Sequence, residues 1–439
     1  MIKAGAGKSS LDPHADMYPM PTHFGVCDAQ YTSCFCRALA IETEQERLLF
    51  LSCELSDWPK ITNYKDKIAN EVGYKAEQIV ISVTHNHSSP CDENIHEQPP
   101  EILARCEAYK EIELQAAIEA CKQAIAELRP AKIGFGSVQS PINVNRDYQT
   151  IGGYWVEAPN EAGYSDQTLS IIKVVDEEDK LIAAVLNHCT HATCIYLQRD
   201  VDGKTKLSGN FPGITCAFLE ERYGGIVLWT SGAAGDQAPI MSHGVQLDYP
   251  DGYTTQVPYP DGAGYLQMEY VGRRHAVDAV RGLDAITEYQ TAIRLRHAQT
   301  TVQLPRQSVC RATDSAGPYR MGGHGARKPE DMPLPPIVPE LICDEANPVP
   351  VEMEAIELGD IAIVCVGAEL YCAIGSELKR KSPFQKTIVV THTANHVGYV
   401  LDQASVEHKT FQAFNEVVPG KGEGPILAGE KELFYRMLK

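Results

Sequence analysis

Two histidines follow directly on an apolar run. Ile79-Val80-Ile81-Ser82-Val83 reads as a buried strand, and Thr84-His85-Asn86-His87-Ser88-Ser89-Pro90 comes straight after it. Side chains alternate across a strand, so His85 and His87 are expected to project to the same side. Imidazole nitrogens ligate zinc, and this pair supplies half of a metal site; taken alone, it reads equally as two loop histidines making ordinary hydrogen bonds.

The pattern recurs along the chain. Leu181–Leu186 runs out into Asn187-His188-Cys189-Thr190-His191, Ile361–Val366 into Gly367-Ala368-Glu369-Leu370-Tyr371, and Thr387–Val390 leads through His392 and His396 to Tyr399. Four strand ends therefore carry His85/His87, His191, Glu369 and Tyr399. Two histidines and a carboxylate on separate elements, with a position left for water, suit a catalytic zinc ion, which acidifies water and polarises the bond to be cut. Glu369 reads either as a ligand or as an acid complementing a helix dipole in a first turn. Asn145, His188, Asp236 and His396 are the candidates for substrate contacts. His188 also reads as a packing residue and Asp236 as an orienting one, while His396 is expected to face the pocket.

The elements that must hold these residues alternate in type. Arg37–Ile41 and Arg47–Cys53 form an expected hairpin, Lys60–Val72 a helix, and the segment from Pro100 to Pro130 a long helix with an apolar stripe. Lys132–Val138 reads as a strand and Asn143-Val144-Asn145-Arg146-Asp147 as a polar loop. Leu169–Val175 and Leu181–Leu186 flank an acidic turn, a second hairpin. A helix through about Tyr223 and a strand Ile226–Thr230 lead to Ser231-Gly232-Ala233-Ala234-Gly235-Asp236-Gln237-Ala238-Pro239, whose small residues permit close backbone approach to a ligand. Leu266–Leu283 reads as a helix and Ala292–Leu304 as a strand. Segments of about 241–265 and 312–350, with His243, Arg320, His324 and Arg327, are expected to be lids.

Composition narrows the class. The chain has 439 residues, 44 % of them hydrophobic, and a formal charge of −19, which opposes phosphate-backbone binding and excludes a nucleic-acid partner. The first residues lack the apolar core of a signal peptide, and no segment has the roughly 18 uninterrupted apolar residues of a membrane span. Fourteen cysteines are scattered without a Cys-x-x-Cys, which fits buried reduced thiols and a cytoplasmic protein without stable membrane insertion. Residues 1–439 read as one catalytic α/β domain with mixed sheets at the centre and helices outside.

Across nearly its whole length the sequence resembles the neutral, non-lysosomal ceramidases and their bacterial relatives. The matching segments are Ala4-Gly5-Ala6-Gly7-Lys8, Leu11-Asp12-Pro13, Arg37-Ala38-Leu39, Thr84–Ser88, Asn143–Arg146, Asn187–Thr193, Ser208–Gly213, Gly235–Pro239, Gly367–Leu370 and Gly398-Tyr399-Val400. The resemblance implies a layered α/β sandwich, with His85, His191, Glu369 and Tyr399 as ligands of one zinc ion per chain and His87 and Arg146 beside the metal. It also implies amide hydrolysis by metal-activated water, with Arg146 or Tyr399 steadying the oxyanion and His87 passing the proton. Zinc is preferred over iron or manganese from the histidine content and the family. Three features depart from the pattern: Ala238 stands where ceramidases have serine, Asn210 where many relatives have aspartate, and no carboxyl-terminal β-sandwich module follows. The expected reaction is thus cleavage of an amide C–N bond in a small polar molecule rather than ceramide. An ester, lactone or sugar-derived substrate, lyase chemistry, or a binding protein without turnover are the other readings; homo-oligomerisation stays open.

Overall fold

Both faces of the central strands are apolar, so each strand must be covered twice. In Arg37–Ile41, Leu39 and Ile41 point one way and Ala38 and Ala40 the other, and the two sets belong to different cores. The computed structural model describes residues 2–22, 25–59, 61–90, 99–150, 155–195, 198–241, 245–248, 254–257, 259–310, 340–393, 397–408, 410, 412–413 and 421–439.

The larger sheet consists of β1 (Lys3–Ser10), β2 (Phe35–Glu42), β3 (Arg47–Cys53), β4 (Ile79–Val83), β5 (Arg129–Gln139), β6 (Thr168–Asp176), β7 (Leu181–His188) and β8 (Ile226–Ser231). Its order is β8-β7-β6-β5-β1-β2-β3-β4. The inner pairs are antiparallel, whereas β3–β4 and β7–β8, at the two edges, are parallel. The smaller sheet, β9 (Leu295–Cys310), β10 (Glu340–Leu358), β11 (Ile361–Val366) and β12 (Lys386–Val390), runs in that order, with β11–β12 parallel.

The two sheets meet through Leu39, Ile41, Phe50, Val80, Ile172 and Val185 on one side and Ile356, Leu358, Ile361, Ile363, Ile388 and Val390 on the other. Helices α1 (Tyr64–Val72), α2 (Pro100–Ala126), α3 (Asn210–Tyr223) and α4 (Ala263–Ala285) cover the outside of the larger sheet. Helices α5 (Cys372–Lys381) and α6 (Glu423–Leu438) cover the smaller one. The layering is helix, sheet, sheet, helix, as the α/β sandwich reading requires.

Gly5 and Gly7 explain the small-residue start of the chain. A Cβ on Gly5 would lie 2.2 Å from the Ala124 carbonyl oxygen, and one on Gly7 2.6 Å from that of Ala120. Helix α2 therefore rests on the bare backbone of β1.

Several expectations change. Asn143–Gln149 is not a loop but the middle strand of a small sheet between Trp155–Asn160 and Gln237–Pro239. Its polar side chains find buried polar partners, so a strand needs no apolar pattern there. The segment from Glu340 onward is strand β10, paired with β9 up to Cys310↔Glu340, rather than a lid. Within the other expected lid, Val245–Asp248 and Thr254–Val257 pair as a hairpin. His243, Arg320, His324 and Arg327 lie outside the described residues. Cys27, Cys34, Cys36, Cys53, Cys106, Cys121, Cys189, Cys194, Cys216, Cys365 and Cys372 are buried and not disulfide-bonded, and among the described residues no helix is long and apolar enough to cross a membrane.

Gly7→Ala is expected to destabilise the fold by about 1–3 kcal/mol through overpacking against α2. Urea unfolding followed by circular dichroism checks it; an unchanged midpoint contradicts the close packing.

Candidate metal centre

The chain leaving β4 runs beside the chain leaving β3: Thr84 N–H donates to the Cys53 carbonyl and Asn86 N–H to that of Leu55, both at 2.9 Å. His85 sits at φ 54°, a conformation uncommon for a residue with a Cβ. The turn brings its Nδ1 to 3.0 Å from the Ser56 carbonyl and leaves Nε2 facing inward. The strand ends at Val83, so His85 and His87 converge through this turn and not through strand alternation. Their Nε2 atoms are 3.0 Å apart and their rings meet edge to face. Asn86 holds the turn: its amide donates to the Ser208 carbonyl at 2.6 Å, and its oxygen accepts the Ser88 N–H and hydroxyl.

His191 follows β7 and is held in the same way. Its Nδ1 lies 2.6 Å from the Ala234 carbonyl and 3.1 Å from that of Gln237, and its Nε2 is 3.1 Å from Glu369 Oε2. The same carboxylate oxygen is 3.5 Å from His85 Nε2. Glu369 and Leu370 pair in parallel with Tyr399 and Val400. Glu369 thus lies ahead of α5, which begins at Cys372, and the helix-dipole reading falls. All three side chains are buried.

Proton accounting shows what fits between them. A carbonyl oxygen only accepts, so the Nδ1 atoms of His85 and His191 carry hydrogens, and their Nε2 atoms are the ones turned toward Glu369. Burial, reinforced by the Arg146 charge, holds His191 down to about pKa 3, which keeps it neutral. The two Nε2 atoms lie 3.1 and 3.5 Å from one carboxylate oxygen, and each also has a nitrogen neighbour, His87 Nε2 at 3.0 Å from that of His85 and Arg146 Nη2 at 3.5 Å from that of His191. Two imidazole nitrogens and a carboxylate oxygen converging at that spacing can hold a cation, and the nitrogen and oxygen donor set fits zinc. His85, His87 and His191 form one compact group of potential ligands, and His85, Glu369 and His392 another.

Arg146 is buried beside them. Its Nε and Nη2 donate to the Gly235 carbonyl at 3.1 and 2.6 Å, Nη1 to Glu157 at 2.9 Å and Nη2 to the Tyr399 hydroxyl at 3.0 Å. Nη2 also lies 3.5 Å from His191 Nε2, so the guanidinium meets the centre directly as well as through Tyr399 and its charge. Burial pushes the Tyr399 phenol up, and Arg146 opposes that shift. Glu157, which counterbalances Arg146, was not legible in the sequence: a lone acid after Trp155-Val156 carries no pattern.

The other candidates separate. Asn145 and Asp236 belong to the frame: the Asn145 amide donates to Asp236 Oδ2 at 2.9 Å, and Asp236 Oδ1 accepts the Cys372 N–H at 2.7 Å where α5 begins. Burial, then the neighbouring Asp147, pushes the Asp236 carboxyl up to about 7. His188 points into the core, where Nδ1 meets the Thr190 hydroxyl at 2.6 Å and Nε2 the Ser140 carbonyl at 2.9 Å. Both nitrogens are committed, which removes it from the substrate contacts. His396 lies outside the described residues, and His392 is the histidine of that strand end that reaches the centre. The close approach at Gly235 is made by the chain itself: a Cβ there would lie 3.0 Å from the Glu369 carbonyl oxygen. Asn210 donates to Ser88 Oγ at 2.9 Å and to the Ile195 carbonyl at 3.3 Å, bonds that an aspartate could not donate. Ala238 is buried in the small strand opposite Val144.

No family model matches this chain, and no curated protein sequence matches it. Among solved structures it is similar to a ceramidase complexed with C2, at TM-score 0.71 and 14% identity over 100% of this chain and 75% of that one. It is also similar to the neutral ceramidase from Pseudomonas aeruginosa, at TM-score 0.69 and 14% identity over 98% of this chain and 73% of the other. The fold is ceramidase-like.

Two outcomes are expected. Zinc added to the metal-stripped protein should bind near one equivalent per chain, and His85→Ala/His191→Ala should abolish that uptake in elemental analysis; equal uptake by both proteins contradicts the centre. Burial also holds His188 down to about pKa 4, below its ordinary 6.5. The unfolded chain therefore binds the extra proton first, and stability present above pH 6.5 is lost as pH falls toward 4, on the order of 3 kcal/mol for this group. Urea midpoints across that range test it, and a flat profile contradicts it.

Proposed function

We propose that this chain is a zinc-dependent hydrolase cleaving an amide C–N bond in a small polar substrate. The observation that supports it best is the convergence of His85 Nε2 and His191 Nε2 on Glu369 Oε2, with both Nδ1 atoms tied to carbonyl oxygens. The likeness of fold to ceramidases, whose name denotes amide cleavage, supports the reaction class.

His85, His191 and Glu369 would hold the ion, and the Tyr399 hydroxyl, hydrogen-bonded to Arg146, would be a further donor. Zinc there supplies Lewis acidity, polarising a carbonyl and acidifying water. Arg146, donating to the Tyr399 oxygen, lowers the cost of negative charge on that buried phenol. His87 works as the proton shuttle: its Nε2 lies 3.0 Å from that of His85, and an imidazole takes a proton from water and returns it to the leaving nitrogen near neutral pH. Glu157 keeps the guanidinium aimed at Tyr399.

The test is a panel of short N-acyl amines and matched esters with the zinc-loaded protein. His87→Ala should lower kcat by roughly 100-fold or more while zinc stays bound. Glu157→Gln should lower kcat less, with KM unchanged. Zinc-loaded protein that turns over nothing in the panel, or a fully active His87→Ala, contradicts the proposal.

A further inference from the structure

His392 stands within reach of the centre without an assigned part in it. Its ring, His85 and Glu369 offer ligand atoms within 4.8 Å of one another, near enough to suggest a co-ligand. Ring orientation decides otherwise. The His85 and His392 rings lie face to face, with centroids 4.0 Å apart and planes at 14°. An imidazole ligates through a lone pair in its own plane. Two nearly parallel rings, one above the other, send those lone pairs along separate planes that do not meet at one ion. The crossed pairs behave differently: His85 and His191 have planes at 71°, and His85 and His87 at 81°, so their in-plane directions can converge.

We propose that His392 is the shelf on which the His85 ring lies, a positioning residue of the metal centre and not one of its ligands. This rests on the reading of that centre as a zinc site. A hydrogen bond from Nδ1 to the Ser56 carbonyl fixes one atom of the His85 ring but leaves the plane free to swing about that axis. A flat surface stacked on the ring stops the swing and holds Nε2 toward His191 and Glu369. The shelf is tied to the strand that it serves: the His392 carbonyl accepts the Val83 N–H at 3.1 Å, and Thr393 pairs with Ser82 in an antiparallel bridge. His392, like His85, has φ 54°, so both backbones turn sharply to bring the rings together.

The experiment compares zinc dissociation constants of the wild type, His392→Phe and His392→Ala, measured by competition with a chromophoric chelator. Thermal melts in EDTA establish that each variant is folded, and His392→Leu, also without a ring nitrogen, replaces the Phe variant if that one does not fold. The shelf predicts that Ala weakens zinc binding by roughly 10-fold or more, whereas Phe, which restores a flat ring without nitrogen, stays within about threefold of the wild type. Equal loss in the Phe and Ala variants makes His392 a ligand and overturns the proposal, as does an unchanged constant in both. Where Leu stands in, it should bind more tightly than Ala, and equality of the two overturns the shelf. A wild type that takes up no zinc overturns the centre itself, a result distinct from any of these.

Discussion

The carbonyl oxygens of Ser56 and Ala234 orient the centre, because each takes the Nδ1 hydrogen of an imidazole and so turns the opposite nitrogen toward Glu369. A side-chain hydroxyl or amide could donate as well as accept, and the tautomer would then be open. A main-chain carbonyl fixes Nδ1 as the donor. Once His85 and His191 are fixed in this way, their Nε2 atoms converge on Glu369 Oε2 at 3.5 and 3.1 Å. Arg146 adds a cation at the rim, 3.5 Å from His191 Nε2, and its bonds to Gly235, Glu157 and Tyr399 hold it there.

Those two carbonyls are in position because of how the sheets end. The parallel pairs β3–β4, β7–β8 and β11–β12 bring carboxyl-terminal strand ends side by side, and each of the six strands contributes to the centre just beyond its end. Ser56 follows β3, His85 follows β4, His191 follows β7, Ala234 follows β8, Glu369 follows β11 and His392 follows β12. This is the placement expected of ligand sites in α/β sheets, built here from two sheets at once. Polar bonds lock the two rims together: the Asn187 amide donates to the Val389 carbonyl at 2.9 Å, and Thr391 donates its N–H to Ser231 and its hydroxyl to Gly232. The apolar layer between the sheets, with Phe50, Val80, Ile363 and Val390, makes that alignment rigid.

The apolar runs made most strands legible, and the abrupt change to histidine at their ends pointed to His85, His87 and His191. Residues whose meaning depends on a distant partner were not legible. His188 has the same setting as His191, yet it faces the core, where the Ser140 carbonyl and the Thr190 hydroxyl take its nitrogens. Asn143–Gln149 lacks the apolar alternation of a strand because the small sheet it joins is lined with polar groups. His392 and Glu157 gain importance only from the His85 ring and the Arg146 guanidinium, each far away in sequence. Backbone carbonyls have no sequence signature at all. Asn210 reads as a departure in the sequence, and the reason for an amide there lies in the positions of Ser88 and Ile195.

A cation between His85, His191 and Glu369 is tested most directly by anomalous diffraction from zinc-soaked crystals, recorded on both sides of the zinc absorption edge. A single strong peak is expected, bounded by the Nε2 atoms of His85 and His191 and the carboxylate of Glu369, with the Tyr399 oxygen beside it. A peak elsewhere, or none with the three side chains still converging, would contradict it.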